Sequence, residues 1–314
     1  MGPKILVIGS SNVDMIMALP KLPSVGEAVT DGSFMQTFGG KGANQAIAAA
    51  RAGGRVSFMT CVGDDDGGRA VMAALAKDGI DVSLSVVAPG EPTGAALVMF
   101  DVHGDNYLAV APGSNYSLRP QHIDAIAPRF AEFAMLLLQF EIPADTLQAA
   151  LETAATSGVP VLFNHAPARV FTRSIPGRVA LVVNELEAAT LIARPISSRE
   201  EVFAAAGELR NRGFEFVIVT FGRGGSFVRT AEETFHVPAI PSKAVDTTAA
   251  GDTFCGALAV ALAVHRSMRE AMKFATAAAA ICVRRAGARP SIPSFAEIQA
   301  LVDNEGGPLP PYVN

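Results

Sequence analysis

The chain has 314 residues, half of them hydrophobic and 18% charged, and a formal net charge of −5. That much apolar material can bury a core, so disorder is excluded for the bulk of the sequence. The acidic balance argues against a nucleic-acid partner, which needs a broad positive surface. No apolar run reaches the ~18 residues of a membrane span, so no membrane partner is expected.

The elements follow in chain order. Residues 4–8 (KILVI) are a short apolar run closed by Gly9, which predicts a buried strand rather than a leader peptide. Residues 13–38 hold strand-like pieces broken at Pro20, Pro23, Gly26 and Asp31-Gly32, with no helical pattern. A helix over 43–53, a strand over 56–61 and a helix over 67–78 come next. Residues 93–111 read as a hairpin, Thr93–Asp101 and Asn106–Ala111 about a turn at His103-Gly104-Asp105. Strands at 134–139, 159–163, 180–183 and 216–220 then alternate with helices at 145–157 and 199–212. Long helices over 250–264 and 268–285 close the pattern, and the Gly/Pro-rich tail 304–311 is expected to be loosely ordered.

Strand–helix alternation predicts an α/β fold, a mostly parallel central sheet with helices on both faces. Segments 13–38 and 93–111 break that rhythm. They predict a small β-sheet that acts as a lid over a cleft; an extension of the main sheet is the alternative. Three cysteines, Cys61, Cys255 and Cys282, are widely spaced in apolar surroundings. Buried free thiols and a reducing, cytoplasmic compartment are the expectation.

Five motifs bear on chemistry. Phe38-Gly39-Gly40-Lys41-Gly42-Ala43-Asn44-Gln45 runs into an Ala-rich helix. Its glycines let backbone approach a ligand, the helix start offers free N–H groups, and Lys41 adds a charge. It is not a Walker loop, because no GxxxxGK[ST] occurs. Asp246-Thr247-Thr248-Ala249-Ala250-Gly251-Asp252-Thr253-Phe254 leads into the next-to-last long helix. Ala249, Ala250 and Gly251 leave bare amides there, an anion hole for phosphate oxygens. Asp252 sits where it can take a proton from an attacking hydroxyl. A capping Asp in a small-residue turn is the plain alternative.

Asn184 and Glu187, at the end of strand 180–183, can hold a hydrated Mg²⁺ and phosphate; an acidic first turn of a helix is as good a reading. Thr220-Phe221-Gly222-Arg223-Gly224-Gly225 ends strand 216–220, where open α/β sheets bind ligands, though a hairpin turn would look the same. The loop Gly287-Ala288-Arg289-Pro290-Ser291 is rich in carbonyls suited to a hard cation. His103, His122, His165, His236 and His265 form no metal-binding spacing and read as surface or packing residues.

The pair GGKGAN (39–44) and DTTAAGDTF (246–254) resembles the two signatures of the PfkB carbohydrate kinases. The likeness is greatest to the ribokinase-like members. It extends in order through GSSNVD (9–14), PSVGE (23–27), VGDD (62–65), PTG (92–94), APGSN (111–115), QFEIP (139–143) and GARPSIP (287–293). It implies a single ribokinase-like α/β domain over 1–314 with lid segments 13–38 and 93–111, often shared in a homodimer. It implies transfer of the ATP γ-phosphoryl group to the 5-hydroxyl of ribose, with ATP, Mg²⁺ and K⁺ as cofactors.

By position, Asp252 would be the base and the Ala249, Ala250 and Gly251 amides would hold the transferring phosphate. Asn12, Asp14, Gly40, Lys41, Gly42, Asn44 and Glu141 would contact the sugar. Asn184, Thr220, Phe221, Gly222, Arg223, Gly224, Gly225, Gly251 and Thr276 would line the nucleotide site, with Glu187 reaching Mg²⁺ through water. Asp246, Thr248, Cys282, Arg285, Gly287 and Ser291 match a monovalent-cation site. Ala249 departs from the Gly common at that position, and Ala52 from a frequent Leu; neither removes an amide or the base. Deoxyribose, fructose, adenosine and pseudouridine are the competing substrates, and a non-catalytic sugar-binding regulator is the reading from another class. Retention of Asp252 beside an anion hole argues against the last, since binding alone needs no base.

Overall fold

The computed structural model describes residues 2–171 and 173–304. The chain opens with β1 (Lys4–Ile8), whose side chains alternate between two cores: Ile5 and Val7 enter one, Leu6 and Ile8 the other. β2 (Asn12–Leu19) and β3 (Ser33–Gly39) pair antiparallel, and α1 (Lys41–Arg51) starts after Gly40. β4 (Arg55–Met59) returns parallel to β1. β5 (Cys61–Gly63), α2 (Asp66–Lys77) and β6 (Val86–Ala88) follow, with β5 and β6 paired. β7 (Gly94–Asp101) and β8 (Asn106–Ala111) form the expected hairpin.

The alternating part holds α3 (Pro120–Ile126), β9 (Met135–Gln139), α4 (Ala144–Thr156), β10 (Val161–Asn164) and β11 (Val179–Asn184). It continues with α5 (Glu185–Ile192), α6 (Arg199–Arg210) and β12 (Val217–Thr220). The hairpin β13 (Ser226–Arg229) and β14 (Thr234–Val237) precedes α7 (Ala250–Ala263) and α8 (Met268–Cys282). The single turn α9 (Ala288–Ser291) and α10 (Phe295–Asn304) come last.

Eight strands form the main sheet in the order β14-β13-β12-β11-β10-β9-β1-β4. The six from β12 to β4 are parallel, and β13 and β14 add an antiparallel edge. Its central strands are apolar except at their ends because both faces are covered. Side chains of α1, α7 and α8 fill one core; those of α3, α4, α5 and α6 fill the other. The helices on both faces are thus as expected.

A separate four-stranded sheet, β3-β2-β7-β8, gathers the two segments that broke the rhythm. They do not extend the main sheet. Phe34, Met35, Tyr107 and Leu108 of this sheet are each more than half exposed.

Three expectations need correction. The strand expected over 56–61 is two strands in different sheets, parted at the fully buried Thr60, because β5 turns away to pair with β6. The helix expected to reach 285 ends at Cys282, where Arg284 and Arg285 N–H groups tighten onto Ile281 and Cys282 carbonyls. Short elements such as α5 and α10 were not anticipated, being too brief to show a period. Of the tail expected to be loosely ordered, Asn304 ends α10 and 305–311 lie outside the described residues.

Just past β10, His165 is 1% exposed within a cage of Phe140, Phe163 and Phe171, at ring-centroid distances of 5.1, 5.3 and 6.4 Å. Neither ring nitrogen has a hydrogen-bond partner among the described residues. Burial holds its pKa down at about 4, with its own backbone offsetting part of the shift.

Candidate active site

The site begins with two helices that touch. A Cβ on Gly256 of α7 would lie 2.5 Å from Ala48 Cβ and 2.7 Å from Ala49 N of α1, so only a bare Cα fits. One turn earlier on the same face, Asp252 meets Asn44 and Gln45 of α1. Its carboxylate is 6% exposed. Oδ2 accepts from Asn44 Nδ2 and Oδ1 from Gln45 Nε2, each at 3.0 Å.

The start of α7 holds the three residues expected to form an anion hole, and one of their amides is taken within the protein. Ala249 is left-handed, at φ 59° and ψ 9°. The Ala250 N–H turns back to the Thr247 carbonyl (3.2 Å), and Thr253 N–H takes the Ala249 carbonyl (2.8 Å). The first-turn amides of Gly251 and Asp252 therefore remain for a ligand. A Cβ on Gly251 would meet nothing within 4 Å, so the space before it is open.

These residues line a cavity of about 200 Å³ together with Lys41, Asn184, Glu187, Thr220 and Thr247. Burial works against the Lys41 ammonium, yet Asp252, Glu141 and Glu187 around it hold its pKa above the ordinary lysine value. It stays charged in the lining of the cavity. Burial pushes the Glu187 carboxyl up, against the Asn184 N–H and Lys41, which pull it down.

β11 and β12 end side by side, with Asn184 opposite Thr220. Asn184 and Glu187 form a reciprocal helix cap: Glu187 N–H donates to Asn184 Oδ1 and Asn184 N–H to Glu187 Oε2, both at 2.8 Å. The acidic-turn reading is therefore realised, while both residues still face the cavity. The Phe221–Gly225 turn is indeed a hairpin turn, joining β12 to β13. Gly225 is at φ 86°, and a Cβ there would lie 2.2 Å from Val237 O. Phe221 packs on Phe227, and Arg223 is exposed. This turn and Thr276 on α8 are not part of the cavity lining; the Thr276 hydroxyl is buried without a partner among the described residues.

On the other side, Asp14 and Asn44 each present a buried oxygen, Oδ1, that has no partner among the described residues. Both oxygens only accept while Asp14 is ionised, and hydroxyl groups are the donors that would satisfy them. Burial, then the nearby Glu141, pushes the Asp14 carboxyl up to about 7. It folds across Gly39, where a Cβ would lie 2.1 Å from Oδ2. Asn12 is buried, and its Oδ1 accepts from Asn115 Nδ2 at 2.8 Å. Glu141 Oε2 accepts from Ser10 Oγ at 2.5 Å and from the Lys41 N–H at 3.0 Å, tying β9 to the start of α1. Gly40 sits at φ 91°, and Gly42 packs its bare Cα on Gly9 and Ser10.

The carbonyl-rich loop lies where the chain folds back. Asp246 Oδ1 accepts from Thr248 N–H and Oδ2 from Gly287 N–H, both at 2.8 Å. Burial pushes this carboxyl up, but those donors outweigh it and hold it below the usual range. The Cys282 thiol lies 3.6 Å from the Thr248 carbonyl and 3.1 Å from Ser291 Oγ, which in turn donates to Ala288 O at 2.6 Å. The Arg285 side chain points to Glu297 instead, so only its backbone belongs to this loop.

Sequence reasoning gave no role to Gln45, Gln139 or Asn164. Gln45 Nε2 donates to both Asp252 and Asn164, and Gln45 Oε1 accepts from Gln139 Nε2. The first two lie inside quoted motifs, but nothing local tells an amide which distant carboxylate it will meet.

The model of the pfkB family of carbohydrate kinases matches residues 3–294. The ribokinase of Schizosaccharomyces pombe is 38% identical over 306 residues, 94% of this chain and 96% of that protein. The deoxyribokinase of Salmonella typhi is 34% identical, over 93% of this chain and 96% of that protein. The solved structure of the Arabidopsis thaliana ribokinase complexed with ribose and ATP has a TM-score of 0.88 at 31% identity, covering 96% of this chain and 99% of that one. A buried carboxylate at a helix start beside open amides, and a family match over nearly the whole chain, lead to one statement: the chain belongs to the pfkB family of carbohydrate kinases.

Proposed function

We propose that the protein transfers the γ-phosphoryl group of ATP to the 5-hydroxyl of ribose, giving ribose 5-phosphate and ADP. The observation that carries this is Asp252, held between α1 amides with the Gly251 and Asp252 N–H groups open beside it. The sugar hydroxyl approaches Asp252, which accepts its proton as oxygen attacks phosphorus. The open amides and Lys41 stabilise charge on the transferring group. Asp14 and Asn44 accept bonds from sugar hydroxyls, while Asn12, Gly40, Gly42 and Glu141 shape that side. Asn184, Thr220, the 221–225 turn and Thr276 take the nucleotide. The likeness to the Arabidopsis ribokinase, whose structure holds ribose and ATP, supports both substrates.

The cavity's donor set suits Mg²⁺: Glu187 with Asn184 beside it would hold the ion through water, and the ion would offset charge on the β- and γ-phosphates. The ionised Asp246 among the carbonyls of 248 and 282–291 is a donor set for a hard monovalent cation, taken as K⁺. We read 1–314 as one domain whose small sheet closes over the sugar. The exposed apolar side chains of that sheet support a homodimer formed through it. A cytoplasmic location goes with the three buried free thiols.

A second reading, deoxyribose, has the Salmonella relative in its favour. Two unpaired acceptors in the pocket favour the substrate richer in hydroxyls. The test is ADP release with ribose, 2-deoxyribose, fructose, adenosine and pseudouridine. Ribose is expected to give the highest kcat/KM; preference for deoxyribose or a nucleoside would replace this reading, and no turnover with any of them would favour a sugar-binding regulator.

A further inference from the structure

Asp252 does not stand alone in its pocket. Behind it runs a line of buried amides from three elements: Gln45 of α1, Gln139 of β9 and Asn164 of β10. Gln45 and Gln139 are 0% exposed and Asn164 is 7%. Gln45 Nε2 donates to Asp252 Oδ1 and to Asn164 Oδ1, each at 3.0 Å. Gln45 Oε1 accepts from Gln139 Nε2 at 2.7 Å, and Asn164 Nδ2 donates to the Val182 carbonyl at 3.1 Å.

The polarity of this line has one solution. An ionised carboxylate only accepts, so Gln45 must turn its nitrogen to Asp252. Its oxygen then faces Gln139, which must present nitrogen. Asn164 must present oxygen to Gln45, and its nitrogen goes to the Val182 carbonyl. The Gln139 oxygen has no partner among the described residues, and a Cβ on Gly9 would lie 1.9 Å from it. Buried amides bring no advantage in stability over apolar side chains of the same shape. What they add is direction.

We propose that Gln45, backed by Gln139 and Asn164, is a positioning residue for Asp252: it fixes the carboxylate plane so that a free lone pair faces the sugar hydroxyl. The proposal rests on the kinase reading. In the step it serves, the hydroxyl O–H bond breaks and its proton passes to an Asp252 oxygen. A sugar O–P bond forms, the bond from the γ-phosphorus to the bridging oxygen breaks, and that electron pair leaves with ADP. Gln45 gives up no proton; it holds the acceptor still.

The test compares wild type with Gln45→Leu, Gln139→Leu and the double variant. Gln45→Leu is expected to lose about 10- to 100-fold in kcat, the value of one charge-assisted hydrogen bond. KM for sugar and ATP should stay within about threefold. Gln139→Leu should show a smaller effect in the same direction, and the double variant should match Gln45→Leu alone. Should Gln45→Leu fail to fold, Gln139→Leu carries the test. A readout without turnover comes from the Gln45 side-chain amide in a ¹⁵N-resolved NMR spectrum, identified by its loss in Gln45→Leu: Asp252→Ala should move one of its two protons upfield. Unchanged kcat, or an amide indifferent to Asp252→Ala, would overturn the proposal. A wild type that phosphorylates no sugar would overturn the kinase reading, and the amide spectrum would still decide the contact.

Discussion

Replacing His165 by Leu should make the protein more resistant to acid. The histidine is sealed among three phenylalanine rings with neither nitrogen paired among the described residues, and its pKa is about 4 against an ordinary 6.5. The folded-state value is the lower one. As pH falls through 6.5, the unfolded chain takes a proton that the native state refuses. Stability is therefore lost from about pH 6.5 down to about pH 4, and the loss then levels off. The gap is about 2.5 pKa units, or about 3 kcal/mol in full, and about 2 kcal/mol of it has accrued at pH 5. That is a large share of a typical domain's 5–15 kcal/mol. His165→Leu removes the titration and places an apolar group of similar size in an apolar cage. Urea unfolding of both proteins at pH 8, 6 and 5 separates this effect from other titrating groups, which cancel in the difference. The variant should gain about 2 kcal/mol relative to wild type between pH 8 and pH 5. A difference that stays flat across that range would refute the argument.

Three further outcomes are expected. Asp252→Asn removes the proton acceptor and also sets its new Nδ2 against a donor, Asn44 or Gln45; kcat should fall by ~10²–10⁴, with ATP affinity by calorimetry little changed. Asp14, with its pKa near 7, is about half protonated at pH 7; sugar hydroxyls favour its ionised form, so ribose binding should release up to about half a proton there and weaken as pH falls. Calorimetry in two buffers of different ionisation heat would show this, and identical heats would exclude it. Initial rates should rise when K⁺ replaces Na⁺ at fixed ionic strength, and Asp246→Ala should abolish that response; a wild type indifferent to the exchange would remove the cation site.

Much of this was legible because burial writes itself into strands. β1, β9, β10 and β11 are short runs, apolar except at one end, because both faces are covered, and the segments of the small sheet showed themselves by lacking helices. The division of 56–61 was not legible, since it depends on pairing with Val86–Ala88, more than two dozen residues away. Asp252 could be singled out from the small residues before it. Its partner Gln45 could not, because the contact joins positions 207 residues apart and no local pattern records it. The engaged Ala250 amide likewise follows from how Thr247 turns, which depends on loop geometry rather than residue type.

The bare Cα of Gly256 limits how this enzyme can diverge. Asp252 and Gly256 share one face of α7, so the reach from carboxylate to amide is set by how nearly two backbones approach. A methyl group at 256 would press on Ala48 Cβ at 2.5 Å and Ala49 N at 2.7 Å, and a helix backbone does not step aside. The helices would part by roughly an ångström, and contacts of 3.0 Å would open beyond hydrogen-bonding range. Asp14 and Asn12 lie on β2, outside both helices, so exchanging either leaves the contact of α1 with α7 in place. In the proposed site, substrate preference is thus free to drift over evolutionary time, while the Asp252 carboxylate stays bound to one interhelical distance.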